Sequence, residues 1–424
     1  MYIDRPIFNI LHNQRANQKI TILIGSRQVG KTTLLQALYD SLRKDNPCLF
    51  LDLDLFSNYE KASTYDNLIS SLKLEGYRLK QKRRFFLFLD EFQHYADVSM
   101  VLKNIADHHP NIKIYATGSS SLGIKSNIQE TLAGRKRTVN IYPLCFEEYL
   151  HFIQAQELME RFKNIAGISS KHLNQLVPEL YQAFEAYLVF GGYPEVALAD
   201  KEEKKEVLNS IFDLYVKKEL VDYLQVEKVK NAKMLIQYLA VNNGNLTKYN
   251  ALGQAAGLDD KTVRNYIEIL EETFLIKVLK PWFTNRNHEI VKMPKVYYLD
   301  NGVRNYFVNN FNPAELRQDA AFLFEGYVIS ELIKLGVDPD TMRYWRTKNQ
   351  TEVDLVLESS GKTIPIEIKF NKKASHTDLK GLKKFHHIYP LADQAYLINL
   401  YDNTDLGSVK LVSPFGLDVI AGLC

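Results

Sequence analysis

The stretch Gly25-Ser26-Arg27-Gln28-Val29-Gly30-Lys31-Thr32 decides the fold of the N-terminal part of this chain. It has the spacing GxxxxGKS/T, with every defining position filled. The apolar run Ile20–Ile24 before it predicts a buried strand, and Thr33–Leu38 after it predicts the start of a helix. Glycines let the backbone curl so that its N–H groups face a phosphate, and a helix N-terminus adds positive potential there. The sequence therefore predicts a phosphate-binding loop.

Two side chains of this loop indicate which ligand it takes. Lys31 would reach the β- and γ-phosphates of a nucleotide, and the hydroxyl of Thr32 would hold Mg²⁺. We therefore expect ATP and Mg²⁺ as cofactors. The expected nucleotide contacts come from Gly25, Ser26, Arg27, Gln28, Val29, Gly30, Lys31, Thr32 and Thr33.

Composition sets broad limits on the protein class. The 424 residues suggest about three domains, and 46% hydrophobic with 24% charged residues is ordinary for globular proteins. A net charge of +3 is too small to indicate nucleic acid binding by itself. No apolar run approaches the roughly 18 residues of a membrane span, and the N-terminus lacks a secretory pattern. Cys48, Cys145 and Cys424 have no metal or disulfide spacing, so we expect a cytoplasmic protein with no membrane partner.

A second apolar run, Phe85–Leu89, ends in the acidic pair Asp90-Glu91. This is the Walker B arrangement. A carboxylate at a strand end can hold the Mg²⁺ shell, and the next one can activate the attacking water. We therefore expect Asp90 to bind the metal ion and Glu91 to be catalytic.

Two further segments supply candidate nucleotide contacts. The run Ile112–Thr117 predicts a third strand that leads into a serine-rich turn, where Ser119 is placed to sense the γ-phosphate. Arg135 follows in a basic stretch. It would stabilise transition-state charge in its own or a neighbouring subunit. A solvated basic loop explains the same residues equally well.

These segments together resemble a known family. The runs GSRQVGKTTLL, FFLFLDEFQ, IYATGSSSL, LAGRKR and IYPLCFEEYL have the order and spacing of prokaryotic AAA-type ATPases with a C-terminal restriction-endonuclease-like domain. The resemblance continues to the C-terminus, although Ser26 stands where proline is usual. It implies an α/β, AAA-type P-loop core with a mainly parallel sheet over residues 1–150. It also implies a homo-oligomer, since one subunit's arginine often completes the next site in such ATPases.

The middle of the chain carries no recognisable chemistry. Apolar residues recur at helical spacing over residues 151–230, which predicts a helical lid or linker. The segment Phe190-Gly191-Gly192-Tyr193-Pro194 interrupts this pattern as a turn. The resembling family has the same segment, and we expect it to pack the lid against the nucleotide domain.

Residues 231–312 predict a winged-helix domain. One helix is predicted at Met234–Ala240 and a second at Tyr249–Ala256, which Gly257 ends. Asp259-Asp260 caps a third helix, because aspartate accepts hydrogen bonds from unpaired N–H groups. Two strands follow. Such a third helix suits the DNA major groove, and its contacting residues would be Lys261, Thr262, Arg264 and Asn265. A winged helix that packs against protein fits the weak basic character equally well.

Residues 313–424 carry the ordered set of a PD-(D/E)xK nuclease fold. Glu325 lies in a predicted helix, Asp354 in a strand, and Glu367 and Lys369 in the next strand. A turn at Ser359–Lys362 joins the two strands as a hairpin. Residues two apart on a strand share a face, so Glu367 and Lys369 point the same way. The restriction-endonuclease-like resemblance implies the same α/β nuclease-like domain.

This set of side chains matches the needs of phosphodiester cleavage. Asp354 and Glu367 would bind a divalent ion through hard oxygen ligands, and the ion would activate a bound water. Lys369 would orient that water or balance charge on the phosphate. Glu325 would complete the metal shell or orient the site. An ordinary hairpin with charged outer residues, or a nuclease fold without activity, explains the pattern without cleavage.

Two functions from different classes follow. The first is an ATP-hydrolysing enzyme that acts on nucleic acid, most plausibly DNA, with ATP-gated, Mg²⁺-dependent cleavage by the C-terminal domain. The second is a nucleotide-switched regulator that binds DNA or protein without cutting it. The Asp354, Glu367 and Lys369 set favours the first, and the small net charge favours the second.

Overall fold

The structure is a computed structural model that describes residues 3–79, 83–92, 95–118, 131–164, 178–215, 229–283, 293–400 and 407–424. Two compact units make up the chain. The first comprises Met1–Tyr142 with Glu272–Phe274, and the second comprises Pro143–Glu271 with Leu275–Cys424. The boundaries expected within the second unit, after residues 150, 230 and 312, stay predictions. No helix in the described part of the chain is long and apolar enough to cross a membrane.

The first unit is built on a five-stranded sheet in which every pairing is parallel. The strand order is β2-β3-β4-β1-β5. Its strands are β1 (Ile20–Ile24), β2 (Cys48–Asp52), β3 (Phe85–Asp90), β4 (Ile112–Gly118) and β5 (Lys136–Asn140). Its helices are α1 (Pro6–Asn13), α2 (Lys31–Leu42), α3 (Phe56–Ala62), α4 (Tyr65–Leu74) and α5 (Ala96–His108). Every residue of β1, β3 and β4 is buried, as expected for the central strands of a parallel sheet.

The direction of these strands positions the candidate nucleotide site. Ile24 pairs with Gly118 at the end of β4, and Asp52 pairs with Asp90 at the end of β3. The carboxyl ends of β1, β2, β3 and β4 therefore lie along one edge of the sheet. Ligands of open α/β sheets bind at this edge.

Beyond Tyr142 the chain folds into helices and a second sheet. The helices are α6 (Phe146–Phe152), α7 (Gln156–Asn164), α8 (Pro178–Phe190), α9 (Pro194–Leu198), α10 (Lys204–Leu214), α11 (Val229–Val241), α12 (Tyr249–Ala256), α13 (Asp260–Glu272), α14 (Asn301–Val308), α15 (Ala320–Lys334), α16 (Lys380–Ile388) and α17 (Leu417–Ala421). The strands are β6 (Ile276–Pro281), β7 (Lys295–Tyr298), β8 (Met342–Arg346), β9 (Glu352–Ser359), β10 (Lys362–Ile368), β11 (Ala395–Ile398) and β12 (Val409–Val412).

The second sheet has seven strands in the order β12-β11-β10-β9-β8-β6-β7. Its hairpin β6–β7 comes from the segment predicted as a winged helix, whereas β8 to β12 come from the predicted nuclease-like segment. Parallel pairing of Pro281 with Tyr344 joins the two parts. The two predicted segments therefore share one continuous sheet, which the sequence did not predict.

The helices expected before this sheet are present. Helix α12 ends at Gly257, as predicted. Asp259 accepts a hydrogen bond from the backbone N–H of Thr262 at 3.0 Å, so it caps α13. The segment therefore has three helices followed by a two-stranded antiparallel hairpin.

The hairpin expected around Ser359–Lys362 is also present. Ser359 pairs with Lys362, so that only Ser360 and Gly361 form the turn, with φ angles of 52° and 81°. On its other side, β9 pairs with β8 in a register that shifts between Arg343 and Trp345. Asp354 lies within the shifted stretch of β9. Such irregularities re-aim side chains and are frequent beside functional sites.

The segment Phe190–Pro194 makes its described contacts within the second unit. The backbone N–H of Gly192 donates to the Asp300 carboxylate at 2.7 Å, and its carbonyl accepts from Leu144 at 2.7 Å. A Cβ atom on Gly302 would lie 1.9 Å from the carbonyl oxygen of Phe190. These contacts hold the start of α14 against the end of α8.

Candidate functional site

The phosphate-binding loop lies between β1 and α2, as predicted. Lys31 is the first residue of the helix, and Gly30 before it has a φ of 92°. The buried ammonium of Lys31 donates to the carbonyl oxygens of Gly25 and Ser26, at 2.9 and 2.8 Å. These contacts hold the loop curled around the lysine. In this arrangement the Lys31 ammonium lies at the point where a phosphate would face the loop.

The loop is also fixed from outside. A Cβ atom on Gly25 would lie 2.0 Å from the carbonyl oxygen of Ile141, so only glycine fits there. Arg5 is buried, and its guanidinium donates to the carbonyl oxygens of Val29 at 2.9 Å and Tyr142 at 3.1 Å. Arg5 was not among the predicted site residues. It joins the loop to the residues that follow β5.

The remaining predicted loop residues differ in their exposure to solvent. Ser26 and Val29 are buried, Arg27 is half-buried, and Gln28, Thr32 and Thr33 are exposed. Thr32 and Thr33 lie in the first turn of α2, where a ligand of the loop can reach their side chains. Their roles in nucleotide binding stay predictions.

The Walker B residues lie beside the loop. Thr117 donates a hydrogen bond to the Asp90 carboxylate, and Thr32 also bonds to that carboxylate. Burial raises the pKa of Asp90, and the hydrogen bonds from Thr117 and Thr32 oppose this rise. The structure thus brings Thr32 of the loop and Asp90 of β3 together. Hard oxygen donors of this kind suit Mg²⁺.

Glu91 follows Asp90 in an unusual backbone conformation. Its φ is 53°, in the left-handed region that residues other than glycine rarely adopt. The backbone N–H of Glu91 donates to the hydroxyl oxygen of Thr117 at 3.1 Å, which helps to hold this conformation. Strained backbone of this kind is frequent at functional sites.

Thr117 is the polar residue that the structure places at the end of β4. It is completely buried and contacts both Walker B residues. The predicted contact Ser119 lies outside the described residues. The position of Thr117 follows from the sequence, because the predicted strand Ile112–Thr117 places it at a strand end, as Gly25 and Asp90 are placed.

The structure corrects one of the two roles expected of Arg135. Its carbonyl oxygen accepts from Ile20 at the start of β1, whereas the phosphate loop follows the end of β1. The five residues of β1 span about 16 Å, which is farther than an arginine side chain reaches. Arg135 instead pairs with Asp107 at 2.5 Å, and this contact lowers the pKa of Asp107. Arg135 therefore cannot act on a nucleotide in its own subunit.

Three of the four predicted nuclease-like residues lie together. The Lys369 ammonium is 2.6 Å from Glu367 Oε1 and 3.3 Å from Asp354 Oδ2. The backbone N–H of Ile368 donates to the same Asp354 oxygen at 2.9 Å. The side chain of Lys369 is 33% exposed, so the cluster is open to solvent on that side. Burial, and after it the charge of Asp354, raises the pKa of Glu367 well above its usual range.

Glu325 has different partners from those expected. Its Oε1 accepts hydrogen bonds from the Lys295 ammonium at 3.2 Å and from the hydroxyl of Tyr297. Lys295 also lies 2.5 Å from Glu352 Oε1. Burial raises the pKa of Glu325. Burial lowers the pKa of Lys295, but Glu325, Tyr297, Asp354 and Glu352 together outweigh burial and hold that pKa well above its usual value. Glu325 therefore belongs to a buried ion-pair network that centres on Lys295.

The metal-binding capacity of this region is limited. No three His, Cys, Asp or Glu side chains of the described residues are grouped so that they could hold a metal ion. However, Glu367 Oε2 is buried and has no hydrogen-bond partner within the described part of the chain. A buried unpaired carboxylate oxygen is costly, and a cation would satisfy it. Mg²⁺ commonly uses one or two protein carboxylates and completes its shell with water and phosphate oxygens.

The predicted nucleic-acid contacts lie at the start of α13. Lys261, Arg264 and Asn265 are exposed, and Thr262 is half-buried. The Thr262 hydroxyl donates to Asp259 at 2.7 Å, and Arg264 pairs with Asp260 at 2.9 Å. Two of the four side chains are thus already occupied by local acidic partners. Helix α13 also carries four acidic and two basic residues, which weakens its attraction for a phosphate backbone.

Three family profiles match successive parts of the chain. Residues 17–150 match a family described as AAA domain. Residues 181–314 match a domain of unknown function (DUF8612), and residues 320–415 match another domain of unknown function (DUF4143).

Several known proteins are similar over most of their length. An uncharacterized protein of Haemophilus influenzae is 25% identical over 362 residues, which cover 83% of this chain and 82% of that protein. The uncharacterized protein MJ1544 of Methanocaldococcus jannaschii is also 25% identical and covers 86% of this chain and 78% of its own. Among solved structures, the Walker-type ATPase PABY2304 of Pyrococcus abyssi aligns with a TM-score of 0.49 and 16% identity, over 72% of this chain and 96% of that one.

The geometry and the family match agree for the N-terminal part of the chain. A parallel α/β sheet carries the glycine loop, Lys31, Thr32 and the Asp90-Glu91 pair at one edge. The AAA domain profile covers the same elements. Residues 17–150 therefore match the AAA domain profile and carry the arrangement of a phosphate-binding loop on a parallel α/β sheet.

Proposed function

We propose that this protein hydrolyses ATP with Mg²⁺ and acts on nucleic acid, and that ATP gates cleavage of DNA by its C-terminal segment. The observation that carries the proposal is the convergence of Asp354 on β9, Glu367 on β10 and Lys369 just after β10. In this proposal residues 1–150 are the ATPase core and 151–230 the lid. Residues 231–312 are a winged-helix domain, and 313–424 a PD-(D/E)xK nuclease-like domain.

In the ATPase core, Lys31 would neutralise the β- and γ-phosphates from the position that its loop carbonyls fix. Thr32 and Asp90 would hold Mg²⁺, which supplies charge stabilisation for the transferring phosphoryl group. Glu91 would accept a proton from the attacking water. The hydrogen bond from Glu91 to Thr117 supports this role, because it fixes the backbone that carries the carboxylate.

In the C-terminal segment, Asp354 and Glu367 would bind a divalent ion, which activates a water for attack on the phosphodiester. The unpaired Glu367 Oε2 supports this assignment, since it is a buried oxygen available to a cation. Lys369 bridges both carboxylates and would orient the water or the scissile phosphate. Its partial exposure supports access of a polymer substrate.

The partners remain part of the proposal. Lys261, Thr262, Arg264 and Asn265 would contact DNA from α13. Because Arg135 is too far from the phosphate loop of its own chain, a catalytic role for it would require a neighbouring subunit in a homo-oligomer. The expected cytoplasmic location is consistent with such an assembly.

The test is DNA cleavage by the full-length protein with Mg²⁺ or Mn²⁺, with and without ATP. Asp354→Asn and Glu367→Ala should abolish cleavage and leave ATP hydrolysis unchanged. Asp418→Asn, an exposed carboxylate on α17, serves as the matched control. Lys31→Ala should abolish ATP turnover, and with it any ATP-dependent cleavage. ATP turnover that survives in Lys31→Ala would contradict the phosphate-loop assignment.

A second function is favoured by the small number of free carboxylates. Glu325 pairs with Lys295, so that no third acidic ligand joins Asp354 and Glu367 among the residues that the structure describes. In that case the protein is a nucleotide-switched regulator that binds DNA or protein without cutting it. Absence of cleavage on linear, supercoiled, branched and single-stranded DNA would favour this function.

A further inference from the structure

Lys295 is a buried cation surrounded by acidic side chains from other elements. Its residue is 4% exposed and lies at the start of β7. The ammonium is 3.2 Å from Glu325 Oε1 on α15 and 2.5 Å from Glu352 Oε1 on β9. It therefore joins the hairpin β6–β7 to the face of the sheet that carries the nuclease-like residues.

Three of the four carboxylate oxygens in this network have a partner that is not a metal ion. Arg346 donates to Glu352 Oε2 at 3.0 Å, so both oxygens of Glu352 are engaged. Tyr297 donates to the same Glu325 oxygen as Lys295 does. Buried carboxylates require a cation or several donors close by, and here the ammonium of Lys295 is that cation.

The neighbouring pair Asp354 and Glu367 differs in one respect. Lys369 contacts one oxygen of each carboxylate, but Glu367 Oε2 is left without a partner among the described residues. The demand for a further cation is therefore located at Glu367. No oxygen of Glu325 or Glu352 is among the buried side-chain atoms that lack a hydrogen-bond partner in the described part of the chain.

We infer that Lys295 takes the place of a second metal ion, so that the C-terminal site binds a single divalent cation at Asp354 and Glu367. Lys295 is then a positioning residue that holds Glu325 and Glu352 away from that cation. This inference rests on the proposed function, because it assumes the metal site at Glu367. On this inference Glu325 does not complete the metal shell.

The stoichiometry of Mn²⁺ binding tests the inference. Free Mn²⁺ is counted by its electron paramagnetic resonance signal with the full-length protein and no nucleotide. Wild type should bind one ion more than Glu367→Gln does. Glu325→Gln should bind as many ions as wild type, because Glu325 is not a ligand. Two ions lost in Glu367→Gln, or one lost in Glu325→Gln, would overturn the inference.

Lys295→Met provides the second arm. Methionine has similar length but no charge, so Glu325 and Glu352 lose their cation and should bind a second Mn²⁺. Lys295→Arg keeps the charge and should bind one. If Lys295→Met folds poorly, its unfolding temperature should rise with Mn²⁺ by more than that of wild type, because the ion binds only the folded state. Equal shifts in both proteins would count against the inference.

These outcomes separate the inference from the proposed function. If wild type and Glu367→Gln bind the same number of Mn²⁺ ions, there is no metal site at Glu367. The inference and the proposed function then fail together. One ion in wild type and still one in Lys295→Met would refute the role of Lys295 while leaving the metal site in place. If wild type binds one ion and Lys295→Met binds two, but the protein does not cleave DNA, the role of Lys295 is supported and the proposed cleavage is refuted.

Discussion

The hydroxyl of Thr117 bridges the end of β4 to Asp90, which ends β3, and to Glu91 beyond it. It donates to the Asp90 carboxylate and accepts from the Glu91 N–H at 3.1 Å. A single buried side chain therefore fixes both the proposed metal ligand and the proposed base. Because Glu91 has a left-handed backbone with a φ of 53°, this support matters for the direction of its carboxylate.

We expect Thr117→Val to lower kcat for ATP hydrolysis while changing KM little. Valine keeps the volume but loses the hydroxyl, which removes the acceptor of the Glu91 N–H at a cost of about 1–3 kcal/mol. If this cost raises the activation free energy because the Glu91 carboxylate is misoriented, kcat drops about 10- to 100-fold. Steady-state kinetics with Thr138→Val as control measure this, since Thr138 lies exposed on β5. An unchanged kcat would show that Thr117 does not orient the base.

Arg5 supports the other side of the nucleotide site. It contacts the loop through the carbonyl of Val29 and the residue after β5 through the carbonyl of Tyr142. Arg5→Met should therefore weaken ATP binding about tenfold or more, because the loop loses a charged donor worth about 1.5–3 kcal/mol. Fluorescent nucleotide titration gives the Kd. Arg15→Met, at an exposed position nearby, should bind as wild type does, and equal binding by both variants would argue against the role of Arg5.

The sequence predicts the nucleotide site well because its parts are local. Strand, glycine loop and helix are adjacent in the chain, so the position of Lys31 follows from spacing alone. Arg5 could not be found in this way. Its acceptors are backbone carbonyls 24 and 137 residues away, and a carbonyl acceptor leaves no trace in residue type.

The same distinction explains the other differences. Asp354, Glu367 and Lys369 lie on one hairpin, whose short turn is visible in the sequence. Glu325 contacts Lys295 only because β6 pairs with β8, so that β6 and β7 belong to the same sheet. That pairing joins residues far apart in the sequence. The expected role of Arg135 in its own subunit was wrong for a third reason. The strand after it, β5, is a largely exposed edge strand without the apolar pattern that would reveal its direction.

The contact between α8 and α14 gives a prediction about stability. A Cβ atom on Gly302 would lie 1.9 Å from a backbone carbonyl, which cannot move without displacing the end of α8. Gly302→Ala should therefore reduce the free energy of unfolding by about 1–3 kcal/mol or more. Chemical denaturation followed by circular dichroism measures this. Gly416→Ala is the control, because its nearest neighbour would be an ordinary contact at 3.4 Å, and equal stability of both variants would contradict the packing argument.

Lys113 gives a prediction about pH. It lies in β4 with 1% exposure, and its ammonium donates to the carbonyl of Lys19 and to Thr21 at 2.8 Å. Burial, and after it the charges of Arg84 and Arg137, lower its pKa from 10.5 to about 7. Between these two pKa values the unfolded chain binds a proton at Lys113 that the folded chain does not.

Stability of the first unit should therefore rise with pH over this window. The free energy of unfolding increases with pH wherever the unfolded state binds more protons, by at most about 1.4 kcal/mol per pH unit for one group. Lys113→Met removes the group, so the rise that Lys113 causes from about pH 7.5 to 9.5 should disappear, while Lys19→Met, at an exposed position, should keep it. Denaturation at several pH values, compared as wild type minus variant, isolates the contribution. Parallel profiles for wild type and Lys113→Met would mean that the buried amine keeps its proton, stabilised by the acceptors that surround it.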